Sequence, residues 1–451
     1  MIARLALLAF LSVLVPHAAA GTLTVGPAGS GADHDSLVAA IAAAQPGDTV
    51  LVAAGKYLEP QGLVVDKPLT ILGNGAGTIE LQISVTGPAP TLLSVTGLAT
   101  GERVRIVGLG LSRGLLEPAR TILVDGCAGS VTLVGIEGIA SSIFTADIGP
   151  IEIFGSSQVV LEDCNVPPVQ TETDFAPPTP GLYVKDSQVQ LNGCDLSGRT
   201  PLLPAFGPGP EYAGAPGLLA KNSVVHAVSS HFRGGLGTGP GLLQFPTTGT
   251  AGGAGIEAIR SEVFISDGWA SSISGGSGAV GYVGSVPQVG LGAPGITYDG
   301  ASQVLVASDA FLTPGLDSDG QLTAPPHSGA GSFSWTSLPL GGAEIWEHLP
   351  VPGGQFDLRL TGAPASTVLV YYSPSQGAPL ALPGVTGAAW LNVAQAQPLA
   401  PMTMPGSGFM VITVAIPVDA SLVGLRFLFQ SLTVDPAGQG SVSPPTFLAI
   451  R

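Results

Sequence analysis

Four side chains that could contact a sugar recur at one position of a repeating sequence pattern. Each stands six residues after the first valine of a short hydrophobic segment: Asn165, Asp195, His231 and Trp269. Amide, carboxylate and imidazole groups can exchange hydrogen bonds with sugar hydroxyls, and an indole ring can stack on a sugar face. If the segments are adjacent strands about 4.8 Å apart, the four side chains form a glycan-binding stripe. The alternative is a solvent-facing turn position, where Asn and Asp are common for local backbone bonding.

Two other groups of residues could do chemistry. The run Asp317-Ser318-Asp319-Gly320 is similar to the start of a calcium loop, but the glutamate that completes such a loop is missing at the required spacing. We therefore predict no cofactor, with Ca²⁺ at this run as the one candidate metal ion. Cys164 and Cys194 each precede a member of the stripe. They could form a disulfide between neighbouring coils, or an inward-facing stack of small residues, which is the interpretation we favour.

Seven short segments would have to position the stripe. Their first valines are 27, 28, 30, 36, 38 and 41 residues apart: Val104, Val131, Val159, Val189, Val225, Val263 and Val304. A period of this size is typical of solenoids, and short strands with insertions of changing length favour a parallel β-helix. The insertions at 197–216, 233–254 and 274–294 are rich in Gly and Pro. We expect them to be ordered or semi-ordered, because each returns the chain to the same register.

The N-terminal part carries a family resemblance. Residues 36–60 read SLVAAIAAAQPGDTVLVAAGKYLEP, which predicts a short helix N-capped by Asp35 or Ser36, then a strand and the turn Gly55-Lys56-Tyr57. This stretch resembles the N-terminal signature of right-handed parallel β-helix proteins, the pectin-lyase-like group. The helix would cover the open end of the solenoid.

The resemblance implies a fold more strongly than an activity, since the group contains lyases, hydrolases, epimerases, adhesins and inert structural proteins. Its lyases hold calcium in a carboxylate cluster and use an Arg or Lys base. No Arg or Lys occupies the predicted stripe, and the nearest candidate is Arg233, two residues past His231. This argues against a lyase.

The C-terminal part has a different pattern. Short segments of alternating hydrophobicity are separated by turn residues, which predicts an antiparallel β-sandwich. The predicted strands are 356–360, 367–372, 389–393, 409–416, 424–434 and 446–450. The whole chain is therefore predicted to be all-β: a right-handed parallel β-helix followed by a C-terminal antiparallel β-sandwich. The boundaries we predict are 1–20 for a signal peptide, 21–315 for the β-helix, 316–344 for a linker and 345–451 for the sandwich.

Composition and the first residues indicate the compartment and exclude some partners. Arg4, the apolar stretch from Leu5 to Val15 and the sequence Ala18-Ala19-Ala20 are typical of a secretory signal. A net charge of −16 with only 15 Lys and Arg repels nucleic acid phosphates, so nucleic acid is excluded as a partner. Apart from the signal no segment is apolar enough to span a membrane. We expect a secreted protein of the cell surface or extracellular space, with the periplasm as the alternative.

Two functions remain open at this stage. The first is a non-catalytic β-helix protein of the cell surface or matrix that contacts glycans or other proteins, which fits the sparse charge and the long Gly/Pro loops. The second is a polysaccharide-active lyase or epimerase, which fits the resemblance and the polar stripe. An acidic chain also disfavours polyuronate substrates unless calcium bridges the negative charges.

Overall fold

The fold is described from a computed structural model. It describes most of the chain from residue 21 onward, and the predicted signal peptide at 1–20 lies outside the described residues. The described residues are 21–73, 79–83, 91–113, 120–139, 151–166, 178–200, 213–237, 249–266, 271–283, 286–307, 310–336, 343–346, 352–374, 376–386, 388–419, 422, 426–443 and 446–450.

Most of the chain winds into a right-handed parallel β-helix with three sheets, which confirms the predicted fold. Each coil contributes one strand to each sheet in the order A, B, C, and every strand pairs in parallel with its counterpart in the next coil. Sheet A contains Thr22–Val25, Thr49–Val52, Leu69–Gly73, Arg103–Val107, Ser130–Val134, Gln158–Glu162, Gln188–Asn192, Val224–Val228, Glu262–Ser266, Gln303–Ala307 and Ser332–Thr336.

Sheets B and C complete each coil. Sheet B contains Gly55–Glu59, Ile79–Ile83, Gly110–Arg113, Glu137–Ile139, Asn165–Val166, Asp195–Ser197, His231–Arg233, Ser272–Ser274 and Phe311–Thr313. Sheet C contains Leu63–Val65, Thr91–Thr96, Arg120–Asp125, Ile151–Phe154, Leu182–Lys185, Leu218–Lys221, Ile256–Ile259, Ile296–Tyr298 and His327–Gly329. A separate hairpin, Gly281–Val283 with Val286–Gln288, lies in one of the insertions between sheets B and C.

The seven valines of the repeat pair with one another in sheet A, from Val104 to Val304. All seven are buried, because alternate residues of each strand point into the coil. The inward-facing side chains of the three sheets form one continuous apolar core. The hydrophobic spacing therefore predicted both the coil and its register.

Buried serines connect the coils at the turn from sheet C to sheet A. The amide of each ladder serine donates to the hydroxyl of the serine one coil further on, at 3.0–3.2 Å. The ladder is Ser156, Ser187, Ser223, Ser261 and Ser302. The residue before Ser187, Ser223 and Ser261 has a positive φ of about 50°, which turns the chain tightly enough to begin the next strand.

The N-terminal helix, α1, covers the first coils as predicted. It spans Leu37–Ala43, and the hydroxyl of Ser36 caps it by accepting from the amide of Ala39. The fully buried carboxylate of Glu59 accepts hydrogen bonds from the Leu37 amide and the Ser36 hydroxyl. Leu37, Ala40 and Ile41 are buried in the same core as the strands.

The insertions between sheets B and C form a second layer, as far as they are described. Segments outside the regular strands leave sheet B and return to sheet C. Their backbones form hydrogen bonds with one another, with N to O distances of 2.7–3.1 Å. The bonded series is Thr179, Arg199, Ala215, Gly235, Gly253, Gly276, Ala293 and Gly315. A β-carbon on Gly276 would overlap the Gly235 carbonyl oxygen, and one on Gly253 would overlap that of Ala215. We call these segments the glycine layer.

The C-terminal part is a β-sandwich, as predicted. Sheet D contains Ala343–Trp346, Gln355–Thr361 and Phe409–Ala415, all antiparallel. Sheet E contains Thr367–Ser373, Val385–Thr386, Gln397–Pro398, Met402–Thr403, Arg426–Val434, Gly440–Val442 and Thr446–Ala449, mostly antiparallel. Gln376–Ala381 pairs separately with Ala388–Leu391. Phe356, Leu358 and Leu360 face the sandwich core, which confirms their predicted alternation.

The predicted boundary at residue 315 is wrong. His327–Gly329 pairs with Ile296–Tyr298 in sheet C, and Ser332–Thr336 pairs with Gln303–Ala307 in sheet A. Most of the predicted linker 316–344 therefore continues the β-helix as far as Thr336. These strands lack the Ser-x-Val pattern of the earlier coils, because Phe333 stands where the earlier coils have valine.

The sandwich contacts the outer face of sheet A. Val160 points outward from its strand, yet it is fully buried in a small apolar cluster with Leu391 and Leu428. His226 also faces outward, stacks on Phe264 with the ring centres 4.6 Å apart, and is only 6% exposed. Burial lowers the pKa of the His226 imidazole to about 4.

Candidate functional site

Three of the four predicted stripe residues lie side by side on the outer face of sheet B. Asn165 pairs with Asp195, and Asp195 pairs with His231, each in the adjacent coil. Their side chains point away from the core because their neighbours Leu196 and Phe232 point into it. The sequence prediction of this register is confirmed for these three residues.

Ser272 holds the fourth position of the row. It pairs with His231, and Phe311 pairs with Ser272 in the following coil. The strand Ser272–Ser274 begins nine residues after Val263, whereas the strand His231–Arg233 begins six residues after Val225, so counting six residues from Val263 stops short of the strand. Trp269 lies outside the described residues. We define the sheet B row as Asn165, Asp195, His231, Ser272 and Phe311.

The polar members of the sheet B row are held by contacts between coils. His231 Nδ1 lies 2.7 Å from Ser272 Oγ, a hydrogen bond whose direction depends on the imidazole tautomer. Asp195 Oδ2 lies 3.6 Å from an Arg233 guanidinium nitrogen, and both side chains are partly exposed. The row therefore presents carboxylate, imidazole and hydroxyl groups that can exchange hydrogen bonds with a ligand.

Phe311 gives the row an apolar end. Its side chain is 68% exposed, an unusual position for a phenylalanine, and it lies next to Ser272. A planar apolar surface beside hydrogen-bonding groups suits the apolar faces and the hydroxyls of a sugar. Phe311 thus supplies the aromatic group that the sequence analysis assigned to Trp269.

The neighbouring sheet C carries a second group of outward-facing side chains, which the sequence analysis missed. We define the sheet C cluster as Phe154, Tyr183, Lys221 and Glu257. Phe154 meets the Tyr183 ring edge-on with ring centres 5.3 Å apart, and Lys221 Nζ lies 5.5 Å from the centre of that ring. Lys221 therefore makes a cation–π contact with Tyr183.

Glu257 is the carboxyl group of this cluster. Burial raises its pKa, and the positive charge of Lys221 opposes that effect. Glu152 lies in the same outward column, three coils away, so the two carboxyls are separated by about 14 Å. Paired catalytic acids of glycosidases lie roughly 5 to 9.5 Å apart. Glu152 and Glu257 therefore do not form such a pair.

A sequence signal for the sheet C cluster did exist. Gly181, Gly217 and Gly255 precede strands of sheet C, and the outward positions are the second and fourth residues after each glycine. Those positions hold Tyr183 and Glu257 as second residues, and Lys185 and Lys221 as fourth residues. The repeated glycine therefore marks the start of each of these strands, and the polar and aromatic residues after it mark the outward column.

The predicted calcium run serves the glycine layer in this structure. Asp317 is only 4% exposed, and its carboxylate accepts from the Gly292 amide at 2.6 Å and from the Thr323 hydroxyl at 2.5 Å. In the part of the chain that the structure describes, no group of three or more His, Cys, Asp or Glu side chains could hold a metal ion.

The cysteines belong to the core. Cys164 and Cys194 are buried and carry free thiols, in agreement with the inward-facing stack. Burial, together with the neighbouring Cys164, raises the pKa of the Cys194 thiol well above its usual value. A buried neutral thiol is a poor nucleophile, so these residues are structural.

Comparisons with known proteins found distant structural similarities and no sequence match. No family model and no curated protein matches the sequence. Among solved structures, a pectin methylesterase from Erwinia chrysanthemi is 9% identical, with a TM-score of 0.27 over 70% of this chain and 90% of that one. A pectate lyase is 12% identical, with a TM-score of 0.29 over 70% and 81%. A tailspike protein of an Acinetobacter phage is 10% identical, with a TM-score of 0.31 over 88% and 82%.

The class of protein follows from the strand register. Three parallel sheets, wound coil upon coil and covered at the start by a helix, define a right-handed parallel β-helix. Identities and TM-scores as low as those above carry no argument about activity or ligand. Within the described residues, no helix combines the length and the hydrophobicity needed to cross a membrane.

Proposed function

We propose that this is a secreted, non-catalytic β-helix protein of the cell surface or extracellular matrix, and that the sheet B row binds a neutral glycan. The observation that carries the proposal is the register that places Asn165, Asp195, His231, Ser272 and Phe311 on successive coils. Five coils span about 19 Å, long enough to contact several consecutive sugars of one chain.

The contacts within the row support binding more than catalysis. A general acid needs a carboxyl group that stays protonated, which requires burial away from positive charge. Asp195 instead lies 3.6 Å from the Arg233 guanidinium, and its side chain is 37% exposed. A partly exposed carboxylate beside a guanidinium suits a hydrogen-bond acceptor for sugar hydroxyls.

The charge of the chain favours a neutral glycan. A net charge of −16 repels polyuronates and sulfated chains, and Arg233 beside the row is already paired with Asp195. Secretion is part of the proposal and is supported by the signal sequence at residues 1–20.

The test is a glycan-array screen of the full secreted chain, followed by titration of the best neutral oligosaccharide. Phe311→Ala should weaken binding about tenfold, because the sugar loses its apolar platform. Leu58→Ala is the matched control, since Leu58 is 69% exposed on the same face of sheet B at the far end of the solenoid.

Product release is scored on the same glycans. Shortened or unsaturated products would overturn the non-catalytic assignment and favour the polysaccharide-active alternative. Equal losses in Phe311→Ala and Leu58→Ala would overturn the assignment of the sheet B row.

A further inference from the structure

The C-terminal sandwich carries an apolar cavity of about 290 Å³ that is partly open to solvent. Its described lining comes from both sheets and from Ile416, Pro417 and Leu422, which lie between strands Phe409–Ala415 and Arg426–Val434. Among the lining residues that the structure describes, none carries a charge. Small molecules bind preferentially in concave, mostly apolar sites of this kind.

The cavity has a buried floor and a partly exposed rim. Phe356, Ile416 and Phe429 form the floor and are at most 5% exposed. Tyr372 and Phe427 are half-buried at the rim. A ligand can therefore enter from solvent and bury an apolar part against the floor.

The aromatic side chains of the cavity are fixed by contacts with one another. Phe429 lies between Phe356 and Tyr372, with ring centres 5.3 Å and 5.8 Å away. Tyr372 also meets Phe427 edge-on at 6.2 Å. These ring contacts hold the aromatic side chains that line the cavity in fixed relative positions.

We propose that this cavity binds an uncharged alkyl chain, such as the acyl tail of a lipid or a fatty alcohol. A concave apolar site takes up apolar molecules, and this one has the volume of about ten water-sized groups, and hence of about ten methylene groups. The polar end of the ligand would stay in water at the rim. A charged end group is disfavoured within the cavity, because none of the described lining residues is cationic.

The test measures binding of radiolabelled decan-1-ol to the full chain by equilibrium dialysis. We expect saturable binding of one molecule per chain, and weaker binding of decanoate. Val414→Trp should reduce affinity at least tenfold, because Val414 lines the cavity and a larger side chain fills it. Val411→Trp is the matched control, since Val411 lies on the same strand, points outward and is 46% exposed.

Each outcome decides the proposal. Absence of saturable binding, or equal binding by the two tryptophan variants, would overturn it. Binding of naphthalene without binding of decan-1-ol would overturn the proposal that the ligand is an alkyl chain. If Val414→Trp does not fold, Leu399→Phe fills the same space and replaces it. Because the cavity lies in the sandwich, these results are independent of glycan binding on sheet B.

Discussion

The coils of the β-helix and the glycine layer beside them are ordered by opposite means. In the coils, a fully buried side chain such as Phe232 fills the space between three sheets. In the glycine layer, backbones approach so closely that a single β-carbon on Gly276 would overlap a neighbouring carbonyl oxygen. The first region is stabilised by buried apolar area, and the second by backbone hydrogen bonds that need the absence of side chains.

This difference between the two regions explains how a sequence so rich in glycine can fold. Glycine loses more conformational freedom on folding than any other residue, and loops of this composition alone would stay disordered. The coils fix the two ends of each insertion at adjacent positions, as at Arg199 and Ala215, whose backbones bond at 3.0 Å. The coils therefore fix the ends of the insertions, and backbone hydrogen bonds between neighbouring insertions order the glycine layer.

The largest expected effect is in the coils. Phe232→Ala removes a fully buried ring and should lower the free energy of unfolding by about 4 kcal/mol, measured by urea denaturation. Phe311→Ala, on an exposed side chain of the same sheet, should change it by less than about 0.5 kcal/mol. Similar losses in the two variants would contradict the view that core filling stabilises the coils.

Acidification should act on the coils through His226. Its pKa is about 4 in the fold and about 6.5 when unfolded, so the unfolded state binds the proton first as pH falls. The contribution of neutral His226 to the free energy of unfolding is fully present above pH 6.5. It falls by about 3 kcal/mol in total as the pH is lowered to 4. Urea denaturation between pH 7 and pH 4 measures this decline. His226→Gln should show a smaller decline, and an unchanged decline would exclude His226 as its source.

The glycine layer should be sensitive to a single methyl group. Gly276→Ala forces the added carbon against the Gly235 carbonyl, and we expect a loss of roughly 2 to 3 kcal/mol from overpacking. Gly300→Ala is the control, because a β-carbon there would make only an ordinary contact with Ala330. Thermal unfolding and amide exchange of residues 249–255 measure the effect. Unchanged exchange in Gly276→Ala would show that the layer is not packed as described.

The smallest of these effects should come from the serine ladder. Ser223→Ala removes the acceptor of the buried Ser187 amide and leaves that N–H unpaired. It also removes one of two hydrogen bonds to the Lys221 carbonyl, which still accepts from the Asp186 amide. We expect a loss of about 1.5 kcal/mol in urea denaturation. Ser157→Ala, at an exposed position of an earlier turn, serves as the reference and should be nearly neutral. Equal losses of unfolding free energy in the two variants would show that the apolar core alone stabilises the stacking of the coils.

The sequence predicted the coils well because their spacing is a direct consequence of burial. The seven repeat valines, from Val104 to Val304, were expected to point inward. The register of sheet A followed from counting the residues between them. Counting did not reach Ser272, because the length of the connection from Ser266 to Ser272 leaves no trace in hydrophobic periodicity. It also missed the contact between the sandwich and sheet A, although three successive apolar residues at Val159, Val160 and Leu161 break the alternation. The sheet C cluster has no regular pattern, because Leu219 lies between Tyr183 and Glu257 in the outward column.

The helix over the first coil has a consequence for assembly. Parallel coils can add to one another without limit, and copies joined end to end through their strand edges would grow as a filament. Leu37 and Ile41 are buried in the core at the start of the solenoid. The buried Glu59 carboxylate holds the helix there by accepting a hydrogen bond from the Leu37 amide. A molecule with one end closed in this way cannot propagate head to tail. Stacking of copies through the remaining end would stop at a pair.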